Sequence, residues 1–214
     1  MSLPVIVIGG GGHGRVVIEA LRRAGVAVTG VIDPAQGVTA ALPEGVPWLG
    51  GDEALASYPP DGYRLVNGVG SIGDVSRRRV FEKMKAAGYS FAQVAHPAAT
   101  IALAGISLGE GCQIMAGAVV QPGTRIGANA IINTHAAVDH DCIIGDHAHI
   151  APGAVLCGDV VVGEETHVGA SAVVIQGRRI GAACLIGAGA IVLRDVPDRM
   201  IVYSHSDWRA RLRG

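Results

Sequence analysis

Aromatic side chains are nearly missing from this chain. They make up 4% of its 214 residues, while glycine alone supplies 32. A core without rings must be assembled from small and branched aliphatic residues, which is how stacked-repeat proteins are built. Net charge is also missing. The formal balance is −1, which leaves no basic footprint for nucleic acid or an anionic membrane surface. No apolar run reaches the length of a membrane span. The one near the start, residues 4–8, is too short for a signal peptide and has no basic flank. Cysteine is sparse, with Cys112, Cys142, Cys157 and Cys184 only. Three of them fall on a small inward position of the repeat described next, so they read as buried thiols rather than disulfides or ligands. A reducing, cytoplasmic setting is the expectation.

What the chain does have is period. From Leu108 to Val192, every sixth residue is Leu, Ile or Val, fifteen positions in succession. Two residues before each lies a mostly small one, among them Cys112, Ala118, Thr124, Ala130 and Ala136. Glycine recurs every eighteen residues at Gly109, Gly127, Gly145, Gly163 and Gly181. A period of six with a superperiod of eighteen predicts a left-handed parallel β-helix of hexapeptide repeats, three short strands to each triangular coil. The aliphatic residue fills the prism, and Gly or Asn serves the corners. Residues 98–105 read as a degenerate first coil, since terminal repeats are atypical. Five regular coils follow without an inserted loop.

The first ninety residues carry a different pattern. Residues 4–9 form a continuous apolar run ending in glycine, a buried parallel strand. A helix is expected over 15–24, stopped by Gly25, and a second strand over 28–32, closed by Asp33-Pro34. A short helix over 52–57, a strand over 63–69 and a helix over 73–87 complete an α/β half-Rossmann unit, βαβαβα. A further strand over 91–96 leads to the prism. The expected domains are 1–92, a nucleotide-sugar-binding unit; 93–195, the β-helix; and 196–214, a C-terminal cap.

Gly9-x-Gly11-x-x-Gly14, after a strand and before a helix, has the form of a phosphate-binding loop. Glycines admit an anion to the backbone, and the helix N-terminus supplies N–H groups. Asp33 ends the second strand, where an acidic residue usually meets a ribose or base. A dinucleotide fold needs two such halves and this chain has room for one, so a mononucleotide or sugar nucleotide is favoured over NAD. His13 reads equally as a phosphate contact or as the first residue of the helix. A second glycine-rich strand end, Asn67-Gly68-Val69-Gly70-Ser71-Ile72-Gly73, faces the same edge.

On the prism, polar residues that break the pattern gather in the middle coils: Asn133, His135, Asp139, His140, Asp141, His147 and His149. They are expected to point outward, toward solvent or a partner. His140 beside Asp141 suits acid–base chemistry, because a carboxylate orients an imidazole and favours its charged form. Adjacent strand residues diverge, so the pairing requires a corner at 140–141. A zinc site is the competing reading of His135 and His140. It lacks a third ligand in residues 98–104 and is set aside. Cys157, one residue before Gly158, invites a nucleophile role that nothing else in the sequence supports.

The segment Asn133-Thr134-x-Ala136-x-Val138-x-His140-Asp141-Cys142-x-Ile144-Gly145, followed by His149-Ile150-Ala151-Pro152-Gly153, behind a nucleotide-binding unit, resembles the bacterial nucleotide-sugar acyltransferases. That family includes N-acetyltransferases of UDP- or GDP-linked 4-amino-4,6-dideoxy sugars and the sialic acid O-acetyltransferase-like proteins. The resemblance runs to about Val202. It implies a homotrimer using acetyl-CoA as co-substrate and no metal. It also implies His140 as general base with Asp141 its partner, and Asn133 and His149 as substrate-positioning groups. The Gly158 N–H would polarise the thioester, and backbone at Ala170 and Ala188 would hold the pantetheine arm. Gly10, Gly11, Gly12, His13, Asp33, Gly70, Ser71 and Gly73 would hold the nucleotide. Within the family, GDP-perosamine is the first expected substrate and the UDP-linked 4-amino sugar the second. The chain departs from the family after Asp195-Val196-Pro197, where it reads Val202-Tyr203-Ser204-His205-Ser206-Asp207-Trp208. O-acetylation, a non-catalytic nucleotide-binding trimer and an NAD enzyme are the competing functions.

Overall fold

The computed structural model describes residues 3–70, 75–204 and 210–212. The chain divides into two compact units, Met1–Pro97 and Ala98–Gly214.

The first unit is a five-stranded parallel sheet. Its strands are β1 (Val5–Ile8), β2 (Val28–Ile32), β3 (Trp48–Gly50), β4 (Arg64–Asn67) and β5 (Ser90–Phe91), in the order β3-β2-β1-β4-β5. The all-apolar β1 takes the centre because only a central strand is covered on both faces. Helix α1 (Gly12–Arg23) buries Val17, Ile18, Ala20 and Leu21; Val17, Ala20 and Leu21 follow the helical period read from the sequence, while Val16, read with them, is exposed. It ends where Gly25, at φ +72°, donates its N–H to Arg22 O. Helix α2 (Ser76–Ala86) buries Arg77, Phe81 and Met84.

Three local expectations change. Helix α1 begins at Gly12, three residues before the predicted start. The reason is a close approach: a Cβ on Gly14 would lie 2.1 Å from the Gly9 carbonyl oxygen. The glycine run is thus partly a packing device inside the helix. The short helix at Asp52–Ser57 is a 3₁₀ turn, a second one spans Gln36–Ala41, and strand β3 lies between them. Five prolines between residues 34 and 60 deny this crossover a regular α-helix. The strand expected over 91–96 is two short pieces, Ser90–Phe91 and Val94–Ala95.

The second unit is the left-handed parallel β-helix. Its first face stacks Thr100–Ile101, Val119–Val120, Ala137–Val138, Val155–Leu156, Val173–Val174 and Ile191–Val192. The second stacks Ser107–Leu108 through Arg179–Ile180, and the third runs from Gln113–Ile114 to Leu185–Ile186 and then Met200–Val202. In the regular coils pairing joins each residue to the one 18 further on, as Val138 to Leu156 and Leu156 to Val174. The first coil is irregular, as expected: Ile101 pairs with Val120, an offset of 19. Each sixth aliphatic residue from Ile114 to Val192 is buried, with the small residues beside it.

The corners use more than Gly and Asn. Asn129, His135, Asp141, His147, Asp159, Glu165, Ser171 and Ala183 all have φ between 53° and 60°. A left-handed residue costs about 1–2 kcal/mol. The ladder offsets this, because each such residue donates its N–H to a carbonyl one coil back, as Asp141 does to Pro122 O at 3.0 Å and His135 to Ala116 O at 3.0 Å.

Candidate active site

Strand Ala137–Val138 ends at Asp139, and the chain turns at His140–Asp141. Asp139 fixes the approach: its Oδ1 accepts the His140 N–H at 2.8 Å, and its carbonyl accepts Thr124 Oγ1 at 3.0 Å. Asp141 lies in the left-handed region, which swings its carboxylate back onto its neighbour. Its Oδ2 stands 2.9 Å from His140 Nδ1. The corner that this pairing required is therefore present.

A carboxylate on Nδ1 calls for a proton there, which leaves Nε2 as the basic nitrogen of the neutral ring. That nitrogen lies over Gly158, one coil further on. A Cβ on residue 158 would stand 2.5 Å from Nε2, so only glycine lets the imidazole occupy this place. The ladder here runs from Asp159 N–H to His140 O and from Gly177 N–H to Gly158 O, both at 2.9 Å. The Gly158 N–H takes no part in it. The hydrogen bond to Asp141 raises the His140 pKa above its ordinary value. The charges of Asp139, Asp141 and Asp159 act in the same sense, and desolvation opposes them.

A groove of about 550 Å³ opens over this pair, lined by Asp139, His140, Cys157, Gly158, Asp159, Gln176 and Gly177. A hollow of about 200 Å³ adjoins it on the first face, lined by Val119, Gln121, Ala137, Val155 and Cys157 among others. The sequence reading did not single out Gln121, Asp159, Gln176 or Gly177. The superperiod was the available signal, since Asp159 and Gly177 lie 18 and 36 residues after Asp141, and Gln176 lies 18 after Gly158.

The other predicted residues of the prism fall on a different edge. Asn133 follows Ile131–Ile132 at the corner between the third and first faces, where its Nδ2 stands 3.0 Å from His149 Nε2. Ala170 and Ala188 stack at that same corner, with Gly189 N–H donating to Ala170 O at 2.8 Å. Within one chain, then, His140, Asp141 and Gly158 come together at one corner, and Asn133, His149, Ala170 and Ala188 line another. His149 does not point to open solvent as its outward position suggested. It is buried and meets the buried His167 edge to face at 4.8 Å. Among the described residues no group of three His, Cys, Asp or Glu side chains converges as a metal site would require.

In the first unit, the carboxyl ends of β1, β2 and β4 collect the glycine loop, Asp33 and Gly70. Gly14 and Gly68 are there for contact: a Cβ on Gly68 would lie 2.3 Å from Gly9 O. Gly11 and Gly12 face open space instead, with nothing within 4 Å of a Cβ. They are the side of the loop that an anion can approach. Asp33 closes the loop from below, Oδ2 accepting the Gly10 N–H at 2.7 Å and Oδ1 the Ala35 N–H at 2.8 Å. Gly70 sits beside His13, whose Cβ is 3.4 Å from where a Cβ on residue 70 would be. Ser71 and Gly73 lie outside the described residues, as do residues 205–209 of the divergent C-terminal segment. No helix among the described residues is long and apolar enough to cross a membrane.

Comparison with known proteins agrees with this architecture. The PglD N-terminal domain family matches residues 4–84, and the bacterial transferase hexapeptide family (six repeats) matches 105–140 and 141–176. Among solved structures, a histidine-to-asparagine mutant of perosamine N-acetyltransferase from Caulobacter crescentus, in complex with CoA and GDP-perosamine, is 38% identical. The match covers 99% of each chain with a TM-score of 0.87. The acetyltransferase domain of PglB from Neisseria gonorrhoeae, in complex with acetyl coenzyme A, is 33% identical over 99% of this chain and 100% of that one, with a TM-score of 0.87. WeeI from Acinetobacter baumannii, 24% identical over 98% of this chain and 100% of that one with a TM-score of 0.79, shares the fold. No curated protein sequence matches this one. With near-complete coverage at these identities, the chain is an enzyme of the hexapeptide-repeat sugar N-acetyltransferase family, the group whose prism is preceded by a PglD-type N-terminal domain.

Proposed function

We propose that this enzyme transfers the acetyl group of acetyl-CoA to the 4-amino group of a nucleotide-linked 4-amino-4,6-dideoxy sugar. GDP-perosamine is the first choice and the UDP-linked 4-amino sugar the second. The observation that carries the reaction class is the His140–Asp141 pair, with Nε2 set against Gly158 in an open groove. The preference for GDP-perosamine rests on the Caulobacter crescentus relative.

The geometry supports direct transfer. The amine attacks the thioester carbonyl as the free base, forming a C–N bond. As the tetrahedral intermediate develops, the nitrogen must lose a proton, and His140 Nε2 accepts it. Asp141 stabilises the imidazolium that results. The Gly158 N–H, outside the ladder, is the donor for the oxyanion. Collapse breaks the C–S bond, and the proton held by His140 passes to the departing thiolate, giving CoA and the N-acetylated sugar. No acyl-enzyme is needed, so Cys157 serves as groove wall and not as nucleophile. The nucleotide belongs on Gly10, Gly11, Gly12, His13, Asp33 and Gly70.

The two polar corners of the prism favour a homotrimer. His140 and Gly158 on one edge, and Asn133, His149, Ala170 and Ala188 on another, form one site if each edge meets the complementary edge of a neighbouring subunit, as closed cyclic packing provides. The test is thiol release from acetyl-CoA with GDP-perosamine, the UDP-linked 4-amino sugar and a hydroxyl acceptor in parallel. Release with an amino sugar, abolished in His140→Ala, is the expected result. Wild-type turnover in His140→Ala would remove the proposed base, and release with the hydroxyl acceptor alone would replace N- by O-acetylation.

A further inference from the structure

We infer that Arg77 is a positioning residue for the nucleotide, acting through the end of β4. This rests on the assignment of the nucleotide to the glycine loop. Arg77 lies in the first turn of α2 yet is only 2% exposed, and it is the largest fully buried side chain of the described protein. Its Nη1 donates to two carbonyls at and just past the strand end, Asn67 O at 2.9 Å and Val69 O at 2.8 Å. Asn67, 1% exposed, answers it: Nδ2 donates to the Arg77 carbonyl at 2.9 Å, and Oδ1 accepts the Val69 N–H at 3.1 Å. Helix and strand end are thus clamped in both directions. Burial lowers the guanidinium to about 9, so it stays charged at neutral pH.

Burying a guanidinium carries a desolvation cost. Its location supplies a use. Carbonyls just past the carboxyl end of a parallel strand border the ligand crevice, and one turned toward it would repel a phosphate. The guanidinium takes up two of them. A trans peptide directs its C=O and N–H oppositely, so holding Asn67 O and Val69 O fixes where Gly68 N–H and Gly70 N–H point. The Gly68 N–H meets Ile8 O at 2.7 Å, which locks this turn to the strand that feeds the glycine loop. Val69 packs on that loop, its N and Cγ2 3.2 and 3.1 Å from where a Cβ on Gly9 would be. Gly70 then follows, beside His13. The clamp thereby sets the second glycine turn against the first and fixes the direction of the Gly70 N–H.

The experiment is calorimetric binding of GDP and UDP to the full-length protein, with steady-state kinetics and a melting curve for each variant. Arg77→Lys keeps the charge but loses the planar guanidinium that seats Nη1 between Asn67 O and Val69 O. Nucleotide affinity is expected to fall at least tenfold, with the KM for acetyl-CoA and the pH dependence of kcat unchanged. A folded Arg77→Lys with wild-type nucleotide affinity overturns the proposal, as does an equal loss in both substrates. If Arg77→Lys does not fold, Asn67→Ser gives the answer: it releases the Arg77 carbonyl and is expected to weaken nucleotide at least threefold, and no change overturns the proposal. Gly11→Val separates this from the reading beneath it by filling the open side of the loop. If Gly11→Val abolishes binding and Arg77→Lys does not weaken it, the clamp alone fails. If the wild type binds neither nucleotide, or Gly11→Val binds normally, the loop assignment fails and the clamp with it.

Discussion

Gly158→Ala tests the placement of the base with one methyl group. Residue 158 has no positive φ, so alanine is conformationally allowed there. The added Cβ would lie 2.5 Å from His140 Nε2 and 2.6 Å from Cε1. Non-bonded carbon and nitrogen settle at about 3.5 Å, so the ring must retreat by about 1 Å. Its side chain is 60% exposed and free to do so. The clash falls on a movable side chain, so the stability change stays within about 1 kcal/mol. A reacting group displaced by about 1 Å costs on the order of 100-fold in rate, and that loss is expected in kcat. The assay is thiol release at saturating acetyl-CoA with a nucleotide-linked amino sugar, alongside a melting curve. His140→Ala and the double variant complete a cycle. If the methyl acts only by displacing the ring, adding it to His140→Ala changes nothing further. Full activity in Gly158→Ala refutes the reasoning, and a further large loss in the double variant shows that the methyl blocks the groove or the oxyanion donor instead.

Three other expectations follow from the same geometry. The base works unprotonated and its pKa is raised, chiefly by the bond to Asp141. The rising limb of kcat/KM should therefore lie above pH 6.5 and move to lower pH in Asp141→Asn; an unmoved limb in a pH–rate profile refutes the pairing. Cys157→Ala should keep turnover within about threefold, because direct transfer asks for no thiol; loss of activity with an acetyl group trapped on the wild-type protein would bring the acyl-enzyme back. Gly14→Ala sets a methyl 2.1 Å from the fixed Gly9 carbonyl oxygen and should cost about 3 kcal/mol or more in the first unit. Gly11→Ala, facing open space, should cost less than about 1 kcal/mol; equal melting temperatures for the two would contradict the division of the loop into packing and open glycines.

The sequence by itself determined the prism. A β-helix repeats one local geometry, so each coil writes the same inward pattern into the chain, and the register of 18 follows from counting. The alternation of strands and helices in the first unit was legible for a similar reason, because apolar period is a local property. Where prolines crowd residues 34–60 the period vanishes, and strand β3 emerged only in the fold. The candidate site divides along the same line. His140 and Asp141 stood out as polar residues breaking an apolar repeat. That their side chains meet depends on a left-handed corner at Asp141, which aspartate tolerates better than most residues and the ladder bond to Pro122 sustains. Tertiary structure also decided which glycines are spacers and which face open space, that Asn133 and His149 belong to another edge than His140, and that Arg77 reaches back to β4. None of these leaves a periodic trace. Each is a single contact between residues distant in sequence, fixed only when packing has brought their backbones together.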